Sequence, residues 1–303
     1  MQYFDLQVNG CYGADFNGDT ITLDEVVLAC SRLREDGVEG ILATVITDEI
    51  EVMVNRLSQL ANFRRSESIV AEMIHGFHIE GPFLNEQPGY IGAHPATAAK
   101  SANLDDAKRL LEATDHETCI FTLAPERDPE MKVTHYLADQ GITVAAGHCN
   151  PTSDELRAGI DAGLRMFTHL GNGCPLHLHR HDNIIQRALS FHDQLWIGFI
   201  ADGVHVPFTA LSNYLRTAGL DRCFVVTDAI SAAGLGPGEF QLGGQTVIVD
   251  EQLATWAPDH SHLMGSAGTM PNSEINLRRD LELNETAISQ LLWENPRRAI
   301  GLT

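Results

Sequence analysis

The sequence predicts a (β/α)8 barrel, and three observations carry the prediction. Eight short apolar runs are spread along the 303 residues, and runs of that length without polar alternation suit parallel strands buried on both faces. Helix-like stretches follow most of them, the alternation that builds a parallel sheet. Nearly every run also ends in, or leads straight into, a residue able to do chemistry. In such a barrel the active site lies at the C-terminal ends of the strands.

Taken in order, Tyr3–Val8 (YFDLQV) leads to Asn9, and 41–47 (ILATVIT) is the second run. The third, 74–79 (IHGFHI), ends at Glu80; the fourth, 119–123 (CIFTL), leads into Ala124-Pro125-Glu126. The fifth, 143–147 (TVAAG), ends at His148, and the sixth, 165–168 (RMFT), at His169. The seventh, 196–201 (WIGFIA), leads through Asp202-Gly203 to His205, and the eighth, 223–227 (CFVVT), ends at Asp228.

Between the strands, Thr22-x-x-Glu25 is a capping box that opens a helix to about residue 36, stopped by Gly37. Residues 49–64, Leu104–Ala113 and 128–140 read as further helices. Ser153 is expected to cap the next, which ends at Gly163, with Leu156 where a capping box needs Glu. Pro207 starts a helix that ends before Gly219. Beyond the eighth strand, glycine-rich 234–244 and the 246–250 run predict a loop and hairpin, and helices over 272–283 and 285–295 close the chain. No repeat, low-complexity tract or linker is visible, so residues 1–303 read as one catalytic barrel domain. Two connections, 81–102 and 171–183, exceed what a barrel needs, and long loops at that face carry binding and lid functions. The first holds His94. The second, GNGCPLHLHRHDN, holds Arg180, the one arginine expected near that rim.

The net charge of −21 argues against a nucleic-acid or anionic-membrane partner, which an acidic surface repels. An anionic substrate would need basic residues concentrated locally. No apolar run approaches the roughly 18 residues of a membrane span. The N-terminus shows no basic leader before an apolar stretch, so no export is expected. Cys11, Cys30, Cys119, Cys149, Cys174 and Cys223 form no C-x-x-C pair, and free thiols suit a reducing cytoplasm.

Glu80, His148 and His169 make a plausible zinc triad, since a catalytic zinc takes three protein ligands and keeps one position open. Asp228 is the candidate general base, a carboxylate able to take a proton from a metal-activated water and return it to a leaving group. His94 and His205, from loops, could bind substrate oxygen or stabilise a developing oxyanion. His177, His179 and His181, like His260 and His262, read as exposed polar residues, while His78 shares the inward parity of Glu80.

The motifs FHIEGPFLN (77–85), AGHCN (146–150), THLGNGCP (168–175), IADGVH (200–205) and VTDA (226–229) resemble those of the N-acetylglucosamine-6-phosphate deacetylases of the amidohydrolase superfamily, in that family's order. The resemblance runs from Asp5 to nearly the C-terminus. It implies hydrolysis of N-acetylglucosamine 6-phosphate to glucosamine 6-phosphate and acetate. It makes Glu80, His148 and His169 metal ligands, Asp228 the catalytic aspartate, and His94 and His205 substrate-binding histidines. Ala93, Asn172, Gly173, Arg180, Leu263, Met264 and Gly265 correspond to residues that hold sugar and phosphate. It further implies a homodimer in which Arg180 reaches the neighbouring subunit's site, and one divalent ion per chain. Zinc is the first candidate, with iron, cobalt or manganese accepted by the same donors.

Two features depart from the wider pattern. Many amidohydrolases carry His-x-His at the end of the first strand and bind a second metal; here the place reads Gln7-Val8-Asn9, which predicts a single-metal site. Family members usually carry a small β domain built from the two chain ends, which this sequence is expected to lack. Two other readings stay open: a deacetylase or cyclic-amide hydrolase acting on a different substrate, and a non-catalytic sugar-phosphate sensor. Arg180 with Asn172-Gly173 speaks against the first, and an intact Glu-His-His-Asp set against the second.

Overall fold

A computed structural model describes residues 1–242 and 244–302. Eight parallel strands follow one another in chain order around one sheet: β1 (Tyr3–Val8), β2 (Val38–Ile46), β3 (Ile74–Glu80), β4 (Thr118–Leu123), β5 (Thr143–Ala146), β6 (Leu164–Phe167), β7 (Trp196–Ile200) and β8 (Cys223–Val226). The seam between β8 and β1 closes just beyond their ends, where Asn9 N–H donates to Ala229 O over 2.7 Å and Val8 bridges Ala229. The fold is a (β/α)8 barrel. All eight predicted strands are present, because both faces of each are covered and the apolar runs are therefore unbroken. β2 begins at Val38, ahead of the predicted run, since Glu39 lies exposed at the barrel's lower edge.

The helices are α1 (Leu23–Glu35), α2 (Ile50–Ser66), α3 (Ser68–Met73), α4 (Leu104–Ala113), α5 (Lys132–Asp139), α6 (Ser153–Asp161), α7 (Ile184–Leu189), α8 (Phe208–Ala218) and α9 (Met270–Arg279). The predicted capping box of α1 forms in both directions: Glu25 N–H donates to Thr22 Oγ1, and Thr22 N–H to Glu25 Oε2. The cap of α6 is corrected from Ser153 to Thr152, which places Glu155 at the third helical position and completes a capping box. α5 starts late, at Lys132. The Asp128 carboxylate accepts the N–H groups of Val133 and Thr134 at 3.1 and 2.7 Å and serves as a distant cap. α3 and α7 have six residues each, too few for a helical period to stand out.

Phe4, Leu6, Leu42, Ile120, Met166, Ile200 and Phe224 fill the lower barrel. The C-terminal segment plugs that end: Trp293 lies 6.5 Å from Phe4, and Ala299 packs into the same cluster. The segment runs as α-helix over Glu285–Ser289, π-helix over Gln290–Glu294 and α-helix over Asn295–Ala299. Asn295, fully buried, donates from Nδ2 to Leu220 O and Cys223 O, each at 2.6 Å. Asn295→Leu removes both buried hydrogen bonds, about 1 kcal/mol each, so a lower thermal unfolding midpoint with unchanged bound ion is expected by calorimetry.

Beyond β8 the predicted hairpin is present as β9 (Gly238–Leu242) and β10 (Gln245–Val249), joined by Thr255–Trp256. Gly243, inside the glycine-rich stretch, lies outside the described residues, as does Thr303. The hairpin folds over the upper rim, where Leu242, Val247 and Val249 pack with Ile46, Ile230 and Met264.

Candidate active site and metal centre

Glu80 is the last residue of β3, while His148, His169 and Asp228 follow β5, β6 and β8 by two residues each. All three take positive φ, 49°, 27° and 52°, a conformation that side-chain-bearing residues avoid unless the surroundings enforce it. Here the backbone is pinned on each: Asn85 N–H donates to His148 O, Asn172 N–H to His169 O and Ser266 N–H to Asp228 O, at 2.9–3.0 Å. Gly92 and Gly173 lie flat against the His148 ring, where a Cβ would come within 3.0 and 2.9 Å of it.

Glu80 Oε1 stands 2.9 Å from His169 Nε2 and 3.5 Å from His148 Nε2. One ligand atom from each of Glu80, His148 and His169 lies within 4.8 Å of the others, a grouping that no other His, Cys, Asp or Glu residues form among the described ones. Glu80 and His169 are 2% exposed, and His148 and His94 are 7% exposed. His94 Nε2 lies 3.2 Å from His148 Nε2. The hydrogen bonds assign the tautomers in one chain. Thr47 N–H donates to His94 Nδ1, so Nε2 carries the His94 proton and donates to His148 Nε2. His148 Nδ1–H then donates to Tyr90 O over 2.8 Å. His148 Nε2 is thereby left without a proton, between His94 and Glu80, the tautomer that a backbone partner on the other ring nitrogen gives a ligating histidine. His169 Nδ1 is buried with no partner.

Gln7 and Asn9 are engaged inside the site. Gln7 Nε2–H donates to Glu80 Oε1 at 3.0 Å, and Gln7 Oε1 accepts from Thr168 Oγ1–H at 2.7 Å. Asn9 Nδ2–H donates to Asp228 Oδ1 at 2.8 Å. The side chains at the His-x-His place thus orient a carboxylate each.

Burial pushes the Glu80 carboxyl up, but the His148 and His169 imidazoles outweigh it and hold it well below the ordinary range. Burial raises the pKa of Asp228, offset in part by His169, with the Glu80 charge adding to the rise. Burial, then the neighbouring His148, drives His94 down to about 3, so it stays neutral and its Nε2–H is a neutral donor.

No family model matches the chain. It is similar to the N-acetylglucosamine-6-phosphate deacetylase of Bacillus subtilis, with 30% identity over 301 residues, 98% of this chain and 74% of that protein. The mouse protein of the same name is 34% identical over 313 residues, 99% of this chain and 74% of its own. The chain belongs to the N-acetylglucosamine-6-phosphate deacetylase family. An N-acetylgalactosamine-6-phosphate deacetylase of Escherichia coli O157:H7 is 30% identical over 99% of this chain and 77% of that protein. An aspartate-to-alanine variant of the Mycobacterium smegmatis N-acetyl-D-glucosamine-6-phosphate deacetylase, solved with N-acetyl-D-glucosamine-6-phosphate, superposes with a TM-score of 0.89 at 28% identity, covering 99% of this chain and 77% of that one.

Deacetylases of this family are metal-dependent amidohydrolases, and the residues present fit a divalent ion. Glu80, His148 and His169 offer one oxygen and two nitrogens from a buried pocket, the kind of donor set that leaves a position open on a catalytic ion. His205 follows β7 in the loop that Asp202 begins. Asp202 Oδ1 accepts Val204 and His205 N–H at 2.9 Å each, and its Oδ2 accepts His205 Nδ1–H at 2.6 Å, which fixes the ring. Ala93 packs beneath the hairpin in the cluster of Met264, between Leu263 and Gly265, and its carbonyl accepts from Gln245 Nε2 at 3.2 Å. Asn172 Nδ2 donates to His169 O at 3.2 Å.

Arg180 is exposed, as are His177, His179 and His181 beside it, and it joins no ion pair among the described residues. It is not the lone arginine of the rim, a correction to the sequence reading. Arg127 pairs with Glu86 at 3.2 Å, and Arg187 holds Asn150 Oδ1, Pro151 O and Asp182. Both are anchored to the loops after β3 and β5, contacts that sequence position does not reveal. The sequence reading also missed the orienting roles of Gln7, Asn9 and Thr168. The alternation of Gln7 with Asn9 across Val8 was the available signal.

Proposed function

We propose that the protein hydrolyses N-acetylglucosamine 6-phosphate to glucosamine 6-phosphate and acetate. The observation that carries this reading is the half-buried Asp228 carboxylate at the rim that also presents Glu80, His148 and His169, in a chain of the deacetylase family. A divalent ion held by those three residues, zinc before iron, cobalt or manganese, would supply Lewis acidity to the acetyl carbonyl and to water. Asp228 takes one proton from the attacking water. Its raised pKa suits a group that accepts a proton and later gives it up. Asn9 binds Oδ1 of that carboxylate, leaving Oδ2 for the proton. With His148 Nε2 taken up as a ligand, His94 Nε2–H would be released from it to donate to the acetyl oxygen as charge gathers there. As the C–N bond breaks, Asp228 returns the proton to the sugar nitrogen, and acetate leaves with the water oxygen. His205, oriented by Asp202, binds a substrate oxygen.

Ala93, Asn172, Gly173, Leu263, Met264 and Gly265 line the sugar position in this reading, and Arg180 binds the phosphate. Leu176 is 99% exposed in the same loop, which suits a homodimer in which Arg180 serves the neighbouring site. The cytoplasm is the proposed location; all six cysteines are free, and no helix among the described residues is long and apolar enough to cross a membrane. N-acetylgalactosamine 6-phosphate is a second reading, favoured by the 30% identical relative that bears its name. Comparison of kcat/KM on the two epimers decides between them.

Arg180→Ala tests the phosphate assignment. A guanidinium suits bidentate phosphate contact, and a chain of net charge −21 needs a local cation for a dianion. KM for the phosphorylated sugar is expected to rise about 10–100-fold, the size of a lost charge-assisted hydrogen bond. The unphosphorylated sugar should barely respond. Equal losses on both would mean that Arg180 shapes the loop or dimer.

A further inference from the structure

We propose that Asp5, outside the pocket itself, is a positioning residue whose carboxylate sets both the β1 step that turns Gln7 and Asn9 into the site and the backbone that presents Asp228. Asp5 is 2% exposed at the β1–β8 seam. Its Oδ1 accepts N–H of Gln7 and of Thr227, each at 3.2 Å, and its Oδ2 accepts Thr227 Oγ1–H at 2.5 Å. Thr227 Oγ1 in turn accepts Ala229 N–H at 3.1 Å. The residues on either side of Asp228 are therefore tied, one directly and one through a hydroxyl, to a single carboxylate.

The second consequence lies within β1. Phe4 and Leu6 point into the lower barrel, so strict alternation would send Val8 inward and Gln7 outward. The opposite occurs: Val8 packs in the outer layer, while Gln7 reaches Glu80 and Asn9 reaches Asp228. The β1–β2 register shifts between Asp5 and Val8, a bulge that re-aims side chains. At that step Gln7 N–H turns to Asp5 Oδ1. One carboxylate thus holds the irregular turn that delivers two orienting amides and, across the seam, the strand end that delivers the base.

Stability does not explain an acid here. Burial pushes the Asp5 carboxyl up from 3.8 to about 7, against the hydrogen bonds of Thr227 and Gln7. The folded chain therefore holds the proton more tightly than the unfolded one, and an ionised Asp5 lowers stability as pH rises through that window.

The inference rests on Asp228 as base, so Asp228→Asn is assayed beside Asp5→Asn, Thr227→Val and Thr227→Ser. Asp5→Asn and Thr227→Val are expected to lose about 10–100-fold in kcat, the cost of a misaligned base. KM, bound ion and the unfolding midpoint should hold close to wild type. Thr227→Ser, which keeps the hydroxyl, should restore most of kcat. Wild-type kcat in Asp5→Asn or Thr227→Val, or a loss that only follows a lowered unfolding midpoint or failure to fold, overturns the proposal. If Asp228→Asn is inactive while those two match wild type, only Asp5 is misassigned; if Asp228→Asn turns over normally, the base assignment falls with it.

Discussion

Asp228→Asn is expected to abolish turnover while ion and substrate still bind. The amide keeps the shape, and its oxygen can still accept from Asn9 Nδ2, which now donates to Asp228 Oδ1 at 2.8 Å. What it loses is the ability to take a proton from water, a loss worth about 10²–10⁴-fold or more in rate. Acetate release gives kcat, and calorimetric titration gives binding. A variant that keeps more than roughly a tenth of wild-type kcat would move the base elsewhere. The pH profile carries a related expectation. The base must be ionised to act, and burial raises the Asp228 pKa. The acidic limb of kcat should therefore lie above the ordinary carboxylate range of about 4, with activity rising as pH climbs through it.

Glu80→Ala is expected to remove both the bound ion and the activity. Three donors are the minimum for a catalytic site of this class, and Glu80 is also the group that meets both His148 and His169. Metal analysis should find one ion per wild-type chain and almost none in the variant. A reproducible value near two in wild type would contradict the single-ion reading. That reading rests on Gln7 and Asn9: both are committed to carboxylates inside the site, and neutral amides are poor ligands beside imidazole. Gln7→Ala should cost less, about 10–100-fold in ion affinity, as outer partners of ligands typically do.

The barrel was legible because burial on both faces leaves an apolar signature that survives in single segments, as in β1, whose bounds match the prediction. Capping chemistry was nearly as legible. It failed by one residue at α6, where Ser153 stands beside Thr152 and only Glu155 decides between them. The convergence of Glu80, His148 and His169 followed from their shared place at strand ends. The positive φ of His148, His169 and Asp228 did not, because it is held by Asn85 and Ser266 from distant loops and by the local turn to Asn172. Asp5 was invisible as anything but part of an apolar strand. Its partners Gln7 and Thr227 meet only when the barrel closes, and the bulge it holds breaks the alternation from which facing is read.

The most direct measurement is acetate release from N-acetylglucosamine 6-phosphate by purified protein, stripped with chelator and then reloaded with zinc, beside the unphosphorylated sugar. The expected result is turnover by the reloaded protein, none by the stripped protein, and strong preference for the phosphorylated sugar. Full activity after stripping, or no acetate from the reloaded protein with either 6-phosphate epimer, would contradict a metal-dependent amino-sugar-phosphate deacetylase.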